Sequence, residues 1–172
     1  MDPLKIYDYL TRARRRVFDW VRPLGSEDYG RVFLAGQRTL AQTLTHIMIV
    51  EWANLHLVQG RTHPPYDQWP IREEEPQPFA ALEATWIEQA GRAREVLSAV
   101  RDWKAEFEFH VTDDHGRATI VSASPSDIFT HMVLHEVHHR GQAISMLRRL
   151  GVSVEDIDFN TLMYNRRAAT PA

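Results

Sequence analysis

The sequence predicts an all-α protein, a four-helix bundle with one short β-hairpin between its third and fourth helices. Three observations carry this. Four long segments repeat apolar residues at helical spacing, capping residues mark their ends, and one short stretch switches to strict alternation. The 172 residues fit a single domain spanning 1–172, enough chain to bury a core without disulfides or other staples.

The first helix opens at Asp2, a capping residue, followed by Pro3, which suits a first turn. Leu4, Tyr7, Leu10, Val17, Val21 and Leu24 recur along one face, and Pro23 and Gly25 close the segment. Arg14, Arg15 and Arg16 form a short basic run, expected to be solvated. A second helix is expected from Gln37 to Gln59, with Leu40, Leu44, Ile47 and Val58 as its buried stripe and Gly60 as its stop. The segment 61–78 carries Pro64, Pro65, Pro70, Pro76 and Pro78 with an acidic run, Glu73 to Glu75. Proline at that density cannot continue a helix, so a long surface loop is expected, one that could border a functional mouth.

Phe79 to Val100 reads as the third helix, with Leu82, Trp86, Ala90, Ala93 and Leu97 facing inward. Alternation over residues 106–111, turn residues at 113–116 and a second run at 118–121 predict the hairpin. Ser124-Pro125-Ser126-Asp127 is close to a capping box, and the fourth helix should run from there to Gly151. A short helix around 156–163 is expected in the tail.

Composition narrows the function. Net charge is −3 and the basic residues are scattered, which argues against nucleic-acid binding. No stretch is long and apolar enough to serve as a signal peptide or to span a bilayer, so no membrane association and a cytoplasmic location are expected. With no cysteine, thiolate metal sites and a cysteine nucleophile are excluded. The nine histidines are the unusual feature, because four of them, His131, His135, His138 and His139, fall within nine residues of the fourth helix.

A helix advances about 100° per residue. With His131 set at zero, His135 falls at about 40°, His139 at about 80°, His138 at about −20° and Gln142 at about 20°. Ile128 and Met146 lie at about 60° and Met132 and Leu150 at about 100°, which centres the apolar stripe close to His139 and includes His135. An i, i+4 pair of imidazoles on a buried face can reach one metal ion. A third ligand should come from a facing helix, and His46 alone sits in the second helix's inward pattern, beside Val50, Ala53 and Leu57. The candidate metal site is therefore His46, His135 and His139. His131, His138 and Gln142 could orient these ligands or touch substrate, with ordinary helix packing as the alternative. Arg140, at about 180°, should face away from the metal, and Gly141 suggests close approach of a neighbouring helix. Neither Glu51 nor Glu136 shares the direction of its neighbouring histidine, so no fourth ligand is expected.

A histidine within the second helix followed by His135-Glu136-Val137-His138-His139-Arg140-Gly141-Gln142 on the fourth resembles the DinB/YfiT-like family of metal-dependent proteins. The likeness runs from about residue 3 to 165, with that eight-residue motif as its specific part. It implies a four-helix bundle holding a metal through three histidines that map to His46, His135 and His139; three imidazoles with one or two open positions by themselves suit a divalent ion such as zinc, nickel, iron or cobalt. Some relatives transfer thiol cofactors or isomerise substrates with a thiol's help. The family shares part of its name with an unrelated DNA polymerase, and no polymerase function is implied. The expectations are a metal-dependent thiol S-transferase or hydrolase-like enzyme acting on a small-molecule substrate, or a non-catalytic, stress-responsive metal-binding bundle. A bundle whose histidines pair only among themselves is the metal-free alternative, and a homodimer through helix faces is expected of such folds.

Overall fold

The computed structural model describes residues 2–33, 39–112 and 117–167. Helix α1 spans Pro3–Val21, with the Asp2 carboxylate accepting from the backbone N–H of Leu4 and Lys5. A four-residue helix that the sequence pattern does not announce, α2, covers Ser26–Tyr29. Helix α3 spans Leu40–Val58. It begins later than Gln37 because Thr39 is in extended geometry and its hydroxyl accepts from Gln42 N–H, making it the cap; Gln37 itself lies outside the described residues. Helix α4 spans Phe79–Ala99, strands β1 and β2 span Phe107–Thr112 and Ala118–Ala123, and α5 spans Pro125–Arg149. A final short helix, α6, covers Phe159–Met163. The expected hairpin turn at 113–116 lies outside the described residues.

Helix ends follow local chemistry. Ser124 and Asp127 form the reciprocal capping box, satisfying two orphan donors of α5. Gly151 then takes φ +79°, a left-handed conformation that side chains with a Cβ resist, and turns the chain out of the helix.

The four long helices pack as a ring: α1 against α4 and α5, and α3 against α4 and α5, with the α3–α5 interface the most extensive. The core divides along the bundle. One part gathers Val17, Phe18, Leu44, Ile47, Met48, Leu82, Trp86 and Leu147, the other Tyr7, Leu10, Leu55, Val96, Leu97, Phe129 and Met132. The antiparallel strands pair Phe107 with Ala123 and Phe109 with Val121. Their inner residues Phe107, Phe109 and Ala123 lean on the second part of the core. No helix among the described residues is long and apolar enough to cross a membrane.

Charged residues occupy the middle of this bundle. Arg14, expected at the surface with Arg15 and Arg16, is instead buried, and its guanidinium donates to Glu51 on α3 and Glu136 on α5. Arg15 and Arg16 are exposed. Glu51 also accepts from the Tyr7 hydroxyl and the Gln89 amide, each at 3.0 Å. Glu136 accepts from Arg140 at 3.3 Å, and Arg140 donates to the Tyr9 hydroxyl at 2.7 Å. Trp86 lies 4.5 Å from the guanidinium of Arg14, against its face. The two carboxylates and two guanidinia balance in charge, as buried ions must to avoid a large desolvation penalty.

This network lies on the inward face of α5. Its buried residues include Ile128, Phe129, Met132, Glu136, Arg140, Ala143, Met146 and Leu147. On the helical scale with His131 at zero, they centre at roughly 120°. The stripe expected close to His139 is thus displaced by roughly half a right angle, toward the Glu136–Arg140 line. His135 and His139 stand at its half-buried edge.

Candidate metal centre

That edge position sets the character of the site. His135 and His139 sit one turn apart on α5, and His46 faces them from α3 across the largest helix interface. The ring centres are 4.8 Å apart for His46 and His135, 4.6 Å for His46 and His139, and 4.4 Å for His135 and His139. One nitrogen from each imidazole lies within 4.8 Å of the others. Nε2 of His135 is 3.0 Å from Nε2 of His46. Without an ion between them, one of these nitrogens carries a proton and donates to the other's lone pair.

Burial, reinforced by the neighbouring His139 and His46 rings, pushes His135 down to about 3. Burial also lowers His139, opposed by its bond to Gln142. Both are therefore neutral at physiological pH, the form that ligates metals. Nδ1 of His139 donates to the Gln142 carbonyl oxygen at 2.7 Å. That places the ring's proton on Nδ1 and leaves Nε2 with a free lone pair. The Gln142 amide nitrogen donates in turn to Nε2 of His138 at 3.2 Å.

The structure brings together three of the histidines singled out from sequence and arranges the other groups around them. Gln142 touches a member of the triad directly. His138 is exposed, with its ring 4.8 Å from that of His139 and bonded to Gln142. His131 is exposed one turn before His135, with ring centres 5.7 Å apart. Arg140 points into the charged network of the bundle core, away from the imidazoles. Glu51 and Glu136 belong to that network too. Gly141 is a correction: a Cβ placed there meets nothing within 4 Å, so no neighbouring helix among the described residues needs the glycine.

One neighbour of the triad lies outside the residues that the sequence singles out. Glu73, from the acidic run of the proline-rich loop, places Oε2 2.8 Å from Nδ1 of His46. The run itself is visible in the sequence, but which of its three carboxylates turns inward depends on the loop's path.

A four-helix bundle with three clustered histidines on facing helices defines a class of candidate metal-binding proteins. Comparison with known sequences makes it specific: a profile of the DinB family matches residues 1–169, and the chain belongs to that family. Among curated proteins it is similar to Protein DinB of Bacillus subtilis, at 20% identity over 161 residues covering 93% of this chain and 92% of that protein. It is also similar to the uncharacterised protein YizA of the same organism, at 23% identity over 170 residues covering 91% and 92%. Among solved structures, a DinB-like protein from Bacillus cereus shares the fold with a TM-score of 0.58 and 17% identity, covering 88% of this chain and 94% of that one.

Proposed function

We propose that the protein binds one divalent metal ion through His46, His135 and His139 and uses it on a small-molecule substrate. The observation that supports this best is the convergence of three imidazole nitrogens at a half-buried site, two of them on rings whose burial keeps them neutral. Three neutral nitrogen donors suit zinc, nickel or iron. Nitrogens about 2.0–2.1 Å from one tetrahedral zinc lie about 3.3–3.4 Å apart, so the His46 and His135 nitrogens, now 3.0 Å apart, have to open slightly while the wider spacings, up to 4.8 Å, close.

A site held by three protein ligands follows the catalytic pattern, in which a further position stays open. The His46 side chain keeps 22% of its surface accessible, which leaves an approach from solvent. Bound there, the ion would acidify a coordinated water or thiol and so provide a nucleophile at neutral pH. The rest falls to the protein. The half-buried rings limit water around the reacting group, Gln142 keeps His139 in its ligating tautomer, and the exposed His131 and His138 stand at the rim to meet substrate. Because the chain has no cysteine, a thiolate has to come with the substrate or a diffusible thiol. The reading is a metal-dependent thiol S-transferase or hydrolase.

The test is elemental analysis of protein purified without a histidine tag, followed by the same measurement on His46→Ala, His135→Ala and His139→Ala. About one metal per chain in the wild type and little in any of the three variants is the expected result. Full metal content in the variants would overturn the ligand assignment.

A further inference from the structure

We propose that the proline-rich loop is a working part of the metal centre, with Glu73 as a positioning residue for His46 and Tyr66 as the residue that sets Glu73. This rests on His46 being a ligand. A carboxylate can only accept, so the 2.8 Å contact with Glu73 Oε2 places the proton of a neutral His46 on Nδ1. Nε2, which faces His135 at 3.0 Å, then carries the lone pair. A carboxylate behind a ligating imidazole fixes its tautomer and ring orientation and raises its basicity.

An isolated surface contact of this kind would contribute little. Here the loop is built to hold it. The Tyr66 hydroxyl accepts from the Glu73 backbone N–H at 3.1 Å and donates to the Glu74 carboxylate at 2.9 Å, so one phenol fixes both the chain at Glu73 and the side chain beside it. The Tyr66 ring packs on Trp69, with centres 5.0 Å apart, and Trp69 packs on Trp52 of α3 at 5.2 Å. The Trp69 indole N–H donates to Pro64 O at 2.7 Å. Ile71, two residues before Glu73, is 7% exposed and joins the core. The loop is therefore pinned between Tyr66 and Glu73 by Trp69 against α3 and by Ile71 in the core, and its five prolines restrict the alternatives open to the unfolded chain.

Two measurements on the full chain test this. In metal-free protein, long-range 15N–1H correlation of the imidazoles should show His46 protonated on Nδ1 in the wild type and redistributed between its nitrogens in Glu73→Ala. In chelator competition with zinc, Glu73→Ala should weaken binding roughly 10- to 100-fold. Glu73→Gln, which keeps an acceptor, should lose less. Tyr66→Phe should weaken binding in the same direction by a smaller factor, and Glu75→Ala, which removes only an exposed pair with Arg72, should leave it unchanged. Wild-type affinity in Glu73→Ala, or an unaltered His46 tautomer, would overturn the proposal. If the wild type itself takes up no zinc, the metal reading fails, and the tautomer measurement still decides whether Glu73 governs His46.

Discussion

Replacing Arg14 with methionine should be among the most damaging single changes available to this protein, and which second change repairs it can be worked out from the contacts. Arg14 is 5% exposed and donates to both Glu51 and Glu136. Its loss leaves two carboxylates and one guanidinium inside the bundle. Glu136 keeps Arg140, whereas Glu51 keeps only the neutral donors Tyr7 and Gln89. Removing one partner of a buried ion pair costs about 3–5 kcal/mol. For a chain of this length that corresponds to a fall in Tm of roughly 10 °C. Adding Glu51→Gln removes the orphaned charge and leaves Glu136 with Arg140, so most of the loss should return. Adding Glu136→Gln instead leaves Glu51 without a cation and Arg140 without a carboxylate, and should not help. Urea denaturation of the three variants provides the measurement. A loss below about 1 kcal/mol for Arg14→Met, or equal rescue by both second changes, would refute the charge-balance reasoning.

Other outcomes follow from the same geometry. His131→Ala and His138→Ala should keep most of the metal measured by elemental analysis, because both side chains are exposed at the rim; loss as complete as in His139→Ala would contradict that. The stability of the metal-free protein should fall as pH drops below about 6.5, the unfolded histidine value. Between there and about 3 the unfolded chain takes up a proton that folded His135 refuses, so the unfolded state gains. Unfolding titrations at about pH 7.5 and about pH 5, on either side of the unfolded histidine value, should show this dependence weakened in His135→Phe. An identical dependence would exclude His135 as its source. Gly141→Ala should stabilise the helix by about 0.5–1 kcal/mol, since the new methyl meets open space. Destabilisation in a thermal melt would reveal a contact on that face. X-ray absorption on the zinc-loaded protein should show three imidazoles with at least one light non-protein ligand, and a fourth side chain in its place would remove the open position.

Much of this architecture could be read from local chemistry. Asp2 and Ser124 cap helices through their own side chains, and the left-handed turn at Gly151 needs no information from the rest of the fold. The pairing of His135 and His139 was legible because helical spacing alone brings an i, i+4 pair onto one face, and His46 because it alone among the histidines sits in the second helix's inward pattern. The centre of the α5 stripe was not. Phe129 and Leu147, both near about 160° and absent from the sequence reading of the stripe, account for most of its shift, and the buried Glu136 and Arg140, which a tally of apolar residues discounts, add the rest. Their burial is licensed by Arg14, far away in the chain on α1, which read as one of three solvated arginines. Glu73 was hidden for a related reason: neighbouring loop carboxylates are alike until Tyr66 and Ile71 fix which one turns inward.

The charged quartet also limits how the chain can change over time. A helix lined only with leucine and alanine can slide or rotate a little and repack. Here a rotation of α5 by one position would withdraw Glu136 from Arg14 and strand charge in the interior. Single substitutions at Arg14, Glu51, Glu136 or Arg140 are therefore expected to be rejected, and viable drift should come as paired replacements on two helices at once. His135 is the residue next to Glu136, and His46 lies on the helix that carries Glu51. The quartet therefore acts as an indexing pin for the imidazoles, holding their angular setting while the surface and the loop around them vary.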